Sequence, residues 1–138
     1  DAYIHRYIGS DITHIACIDA RGFLIAAVLA YELQKPLILV RKKGKLPGKT
    51  ISQKYALEYG ESELEIQESA VKQGDTVLLF DDLIATGGTL FAAIKLLNKQ
   101  GAHIKEVAAI IDLPDLVGSQ KLRDSDIPVF SLCAFDGE

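Results

Sequence analysis

Val77-Leu78-Leu79-Phe80-Asp81-Asp82-Leu83-Ile84-Ala85-Thr86-Gly87-Gly88-Thr89 passes from a continuous apolar run, through two adjacent carboxylates, into a Thr-Gly-Gly-Thr turn. Leu90, Ala93, Ile94 and Leu97 then recur at helical spacing, and Gly101 stands where a helix C-cap belongs. An apolar run without alternation is the signature of a strand covered on both faces. The stretch therefore reads as Thr76 to Phe80 in a buried strand, two acids at its C-terminal edge, a turn, and a helix. The same rhythm recurs in the apolar runs His14 to Ile18, Pro36 to Val40, Val107 to Leu113 and Pro128 to Leu132. Helical candidates lie between them at Phe23 to Leu33, apolar almost all round, and from Asp115 to about Arg123. Strands alternating with helices predict an α/β fold with a parallel sheet, and 138 residues make one domain, 1–138.

Arg41 to Gln73 breaks the rhythm. Arg41, Lys42, Lys43, Lys45 and Lys49 are interleaved with Gly44, Pro47 and Gly48, which reads as a mobile basic loop. Ile51 to Tyr59 and Glu63 to Gln67 follow as a polar-alternating hairpin, with Tyr59-Gly60-Glu61-Ser62 as its turn. A connection this long inside a small domain is usually functional or disordered, and both are expected here.

The Thr-Gly-Gly-Thr turn suits an anion. Successive N–H groups at a helix N-terminus converge on a phosphate, glycines permit close approach, and threonine hydroxyls add donors. It is neither the Walker pattern, since no Lys follows the second glycine, nor G-x-G-x-x-G. Asp81 and Asp82 would repel that phosphate, so they face a sugar diol or a divalent ion and its waters. The plainer alternative is a helix capped by Thr86 or Thr89. Asp19-Ala20-Arg21-Gly22-Phe23 is a second strand-to-helix turn, in which Arg21 can offer a bidentate fork to a phosphate. Two such turns on one sheet edge suggest a ligand phosphorylated at both ends, which the basic loop could cover.

Other classes of function fit poorly. Fifteen Lys and Arg against nineteen Asp and Glu leave a net charge of −4, without the basic footprint of a nucleic-acid binder. No apolar run approaches the ~20 residues that span a bilayer. Cys17 and Cys133 lack zinc or disulfide spacing and read as small buried side chains in a reducing, cytoplasmic setting. His5, His14 and His103 each stand alone and read as satisfied rather than catalytic.

Taken together, Leu79 to Thr89, Asp19 to Phe23, Arg41 to Gly48, Leu57-Glu58-Tyr59-Gly60 and Leu64-Glu65-Ile66 resemble the type I phosphoribosyltransferases, and within them the branch that acts on adenine. The resemblance implies an open, mainly parallel twisted sheet with helices on both faces, plus a flexible basic loop and β-hairpin. It implies transfer of the phosphoribosyl group from phosphoribosyl pyrophosphate to adenine, giving AMP and pyrophosphate, with Mg²⁺ on the phosphates. By the same match, Ala85, Thr86, Gly87, Gly88 and Thr89 would hold the 5′-phosphate. Asp81 and Asp82 would meet ribose hydroxyls or, through water, the metal. Arg21 would hold pyrophosphate, and Arg41, Lys42 and Lys45 would cover it. Glu58 would exchange a proton with purine N7, Tyr59 would support the ribose, and Leu83 would press on the purine. The position matching Arg41 reaches a neighbouring subunit's site in this family, implying a homodimer. Members of the family also carry an N-terminal hood that reads the 6-amino edge of adenine, which the sequence from Asp1 lacks, so either it is part of a longer chain or base selection is weakened. Two alternatives stand beside this reading: a regulator that senses phosphoribosyl pyrophosphate, and a transferase for xanthine or hypoxanthine.

Overall fold

Alternate residues of the two central strands leave for opposite sides of the sheet, and each side meets its own helix. In the computed structural model, which describes residues 7–18, 23–57, 60–84, 88–112, 124–125 and 127–134, the chain runs β1 (His14–Ile18), α1 (Phe23–Leu33), β2 (Leu37–Lys42), β3 (Thr50–Leu57), β4 (Gly60–Gln67), β5 (Thr76–Ile84), α2 (Gly88–Lys99), β6 (His103–Asp112) and β7 (Val129–Ala134). Seven strands form one sheet in the order β3-β4-β2-β1-β5-β6-β7. β1 pairs in parallel with β2 and β5, β5 with β6, and β6 with β7, whereas β4 runs antiparallel to β2 and β3. Ala16, Ile18, Val77 and Leu79 pack beneath Leu90, Ala93, Leu96 and Leu97 of α2. Ile15, Cys17, Leu78 and Phe80 pack beneath Ala26, Leu29 and Ala30 of α1. Covered on both faces, β1 and β5 have no use for alternation, which is why their sequences show none.

The predicted elements hold with altered ends. α1 occupies the predicted residues, and α2 closes at Gly101, whose φ of +83° suits a residue without Cβ. A Cβ there would stand 2.9 Å from the Gln73 Cα. α1 closes differently, on Gln34 in the left-handed region at φ 56°, with the Lys35 N–H donating to the Ala30 carbonyl at 2.9 Å. β5 continues four residues beyond the predicted Phe80, because β6 runs beside it and pairs Asp81 with Ala109 and Ile84 with Asp112. Asp81 and Asp82 therefore lie within the strand rather than at its edge. β6 begins at His103, ahead of the expected Val107, and the polar residues there hid it. The hairpin ladder ends with Leu57 opposite Gly60, so Gly60, Glu61 and Ser62, expected in the turn, belong to β4 instead. The expected helix from Asp115 to Arg123 lies outside the described residues.

α1 is apolar almost all round, yet only its inner side is covered. Leu24 and Tyr31 are 77% and 81% exposed, and Ile25 and Val28 share their outward side.

Candidate active site

The chain leaves β1 for β2 on one side and later returns to place β5 on the other, so β1 and β5 flank a topological switch point. Crevices outside the carboxyl ends of strands at such a point are where open α/β sheets bind ligands. The β1–β5 register, which ends with Cys17 beside Phe80, sets the carboxyl end of β1 alongside β5. β2 completes the edge, with Val40 beside Ile18 and Arg41 one residue further. Three segments far apart in sequence thus share one edge, with β2 and β5 about 10 Å apart at two strand spacings.

On β5, Asp81 is half-buried, and the backbone carries Asp82 and Leu83 onward to Ile84. α2 begins at Gly88, with Thr89 half-buried in a first turn that contains no acidic residue. Nothing within that turn offsets the positive end of the helix, which leaves it suited to an external anion. The Arg41 guanidinium lies 5.9 Å from the centroid of the Phe23 ring, at the start of α1. It therefore sits over the first residue of α1. Lys42 and Lys45 are exposed. Arg21, Glu58, Tyr59, Ala85, Thr86 and Gly87 lie outside the described residues, although the strand ends that flank them are placed.

The basic segment carries hydrogen bonds of its own to β4. Arg41 and Lys42 belong to β2, and the loop proper begins at Lys43, whose N–H donates to the Glu63 carbonyl at 2.9 Å. Glu65, only 3% exposed, sits opposite Arg41 on one side and Ser52 on the other. Its Oε2 accepts the N–H groups of Gly44, Lys45 and Leu46 at 3.0, 3.1 and 2.9 Å, and its Oε1 accepts the Thr50 hydroxyl at 3.0 Å. Burial pushes this carboxyl's pKa up, but the Leu46 N–H, the Thr50 hydroxyl and the Gly44 and Lys45 N–H groups outweigh it and hold the group below its ordinary value. Glu63 is lowered as well, first by the Ser52 hydroxyl and then by Lys43 at 3.5 Å. The sequence reading named Glu65 only within Leu64-Glu65-Ile66 and gave it no role of its own. The signal was its place between Leu64 and Ile66, both buried, in a strand otherwise polar on alternate residues.

The remaining histidine and cysteine readings hold where they can be seen. His14 Nδ1 lies 2.9 Å from the Thr13 hydroxyl and 3.6 Å from Asp75, and Cys17 is a buried free thiol. His103 is exposed.

Residues 2–133 match the phosphoribosyl transferase domain family. An adenine phosphoribosyltransferase of Marinomonas sp. is 90% identical over 138 residues, all of this chain and 77% of that protein. The crystal structure of adenine phosphoribosyltransferase from Rhodothermus marinus superposes with a TM-score of 0.90 at 37% identity, covering 97% of this chain and 76% of that one. The Trypanosoma brucei enzyme, solved with AMP, pyrophosphate and ribose-5-phosphate, gives 0.88 at 36% identity over 97% of this chain and 62% of its own. The switch-point edge, the strand-turn-helix unit at its centre and these matches agree, and the chain belongs to the phosphoribosyltransferase family, in its adenine phosphoribosyltransferase branch.

Proposed function

We propose that the edge formed by β1, β2 and β5 seats phosphoribosyl pyrophosphate across the switch point, its 5′-phosphate on the turn into α2 and its diphosphate toward the Arg21 turn and the basic loop. The reaction is transfer of the phosphoribosyl group to adenine, giving AMP and pyrophosphate. The observation that carries this placement is the acid-free first turn of α2, set directly after a strand bearing two carboxylates. The amides of Ala85 to Gly88 and the hydroxyls of Thr86 and Thr89 would grip the 5′-phosphate. Asp81 and Asp82 would lie under the ribose, where their charge favours the positive character that C1 acquires as pyrophosphate leaves.

Glu58 and Tyr59 lie in the sequence between Leu57 of β3 and Gly60 of β4. Glu58 there would hold or release the proton of purine N7 while N9 bonds to C1, with its pKa raised as the closing hairpin excludes water. Tyr59 would support the ribose, and Leu83 would lie against the purine. Arg41, Lys42 and Lys45 would shield the departing diphosphate.

Among the described residues no three His, Cys, Asp or Glu side chains cluster as a metal cage. Mg²⁺ would be carried mainly by substrate oxygens and waters, with the carboxylates of Asp81 and Asp82 meeting its hydration shell. When bound there it would neutralise diphosphate charge. The exposed apolar side of α1, formed by Leu24, Ile25, Val28 and Tyr31, supports a homodimer, since a soluble monomer seldom leaves such a face open. No helix among the described residues is long and apolar enough to cross a membrane, and the buried free Cys17 is consistent with a cytoplasmic setting.

The test is pyrophosphate release from phosphoribosyl pyrophosphate with adenine, hypoxanthine, xanthine or orotate as acceptor, with and without Mg²⁺. Turnover with adenine alone, lost on chelation, is the expected result. Equal turnover with hypoxanthine would remove the base assignment, and binding of the sugar without turnover of any base would favour a sensor.

A further inference from the structure

A buried carboxylate that collects three consecutive backbone N–H groups on one oxygen performs a specific task. The Gly44, Lys45 and Leu46 amides, with Gly44 in the left-handed region at φ +94°, form the kind of concave nest that ordinarily takes up an anion from solution. Here the chain fills that nest with its own Glu65. Thr50, at the far end of the loop, is held by the other oxygen of the same carboxylate, so one side chain clamps both ends. The fit extends outward, with the Glu68 N–H donating to the Lys49 carbonyl at 2.9 Å.

We propose that Glu65 is a positioning residue for phosphoribosyl pyrophosphate: it fixes the backbone of residues 43–50 so that the lysines of the loop stand ready for the diphosphate, without touching substrate itself. The proposal rests on the phosphoribosyl-transfer reading above. It makes a prediction opposite to that of simple electrostatics. If Glu65 acted only as a negative charge near a basic loop, its removal would make the loop more positive and tighten polyanion binding. If it positions the loop, removing the charge weakens the three amide bonds and the binding suffers.

Glu65→Gln separates the two, because its amide oxygen can still enter the nest while its NH₂ faces the Thr50 hydroxyl. The KM for phosphoribosyl pyrophosphate is expected to rise about tenfold, charge-assisted hydrogen bonds being roughly twice as strong as neutral ones, with the KM for adenine little changed. Trypsin cleavage after Lys43, Lys45 and Lys49 should accelerate by a similar factor at unchanged cleavage elsewhere. Thr50→Val, which deletes only the Oε1 partner and leaves the nest intact, should shift both readouts in the same direction by less. It carries the test if Glu65→Gln fails to fold. Unchanged or tighter substrate binding, or an unchanged rate of loop cleavage, would overturn the proposal. A wild-type protein that released no pyrophosphate would instead sink the transfer reading, while the cleavage comparison would still decide the anchor.

Discussion

Thr89→Asp should improve the folding of this protein and ruin its substrate binding, two effects of opposite sign from one charge. Thr89 is half-buried in the first turn of α2, a twelve-residue helix whose first turn has no acid. A carboxylate there meets the positive helix end and should raise stability by about 0.3–1 kcal/mol. Thr and Asp have similar helix propensities, so the exchange costs little by itself. In a domain of this size the gain should lift the melting temperature by roughly 1–4 °C. The same carboxylate would stand about 4 Å from the 5′-phosphate, where two unit charges at an effective dielectric near 20 repel by about 4 kcal/mol. Allowing for screening and relaxation, affinity for phosphoribosyl pyrophosphate should fall at least about 100-fold. Thr89→Val, which removes only the hydroxyl, should lose about 1.5–3 kcal/mol of binding, the range for one hydrogen bond to a charged group. Scanning calorimetry without ligand and isothermal titration with the sugar read the two effects separately. A Thr89→Asp protein that binds normally would refute the phosphate cradle. One that binds weakly and also melts earlier would mean that damage to the fold, rather than repulsion, explains the loss.

Glu58→Gln should lower kcat by about 10²–10⁴ with little change in the KM for phosphoribosyl pyrophosphate, and single-turnover kinetics with adenine would check it. Gly101→Ala should destabilise by about 2–3 kcal/mol in urea unfolding, from the left-handed backbone penalty and the contact of its Cβ with Gln73. Gln34→Gly should gain about 0.5–1 kcal/mol in the same experiment, because the closing residue of α1 already has positive φ. A last prediction concerns acid. Because the pKa of folded Glu65 lies below its ordinary 4.5, its contribution to stability is fully present above that pH and is lost as pH falls through the lowered value. Stability should therefore fall less steeply below pH 4.5 in Glu65→Gln than in the wild type, and denaturant titrations across that range would show it. Glu63 and Asp11, also lowered, contribute equally to both proteins and cancel.

What could be read from the sequence was what local chemistry decides. Phe23 to Leu33 announced a helix because its apolar content leaves no other local choice, and Val77 to Phe80 announced a buried strand for want of alternation. The acids of β5 were misplaced because strand ends are set by a neighbour: β5 persists through Asp81 and Asp82 only because β6 runs alongside. The role of Glu65 was hidden for a similar reason. Its partners lie 15 to 21 residues away, and only the β2–β4 pairing brings the nest onto the carboxylate. Which strand ends lie side by side could not be read locally, because it follows from the β1–β5 pairing, which joins residues 63 apart.

That long-range pairing also separates evolution of the sheet from evolution of the hairpin. Everything between β2 and β5 is an excursion whose ends are fixed by the strands flanking it. Closing a flexible loop costs only about 0.6 kcal/mol more for each doubling of its length. Lengthening or recharging the outer end of the β3–β4 arm therefore leaves the central framework almost untouched, whereas its root is part of that framework, since Leu64 and Ile66 share a core cluster with Leu79, Leu90 and Leu97. An arm built this way is anchored at its root by core packing and open to change in length and charge at its outer end.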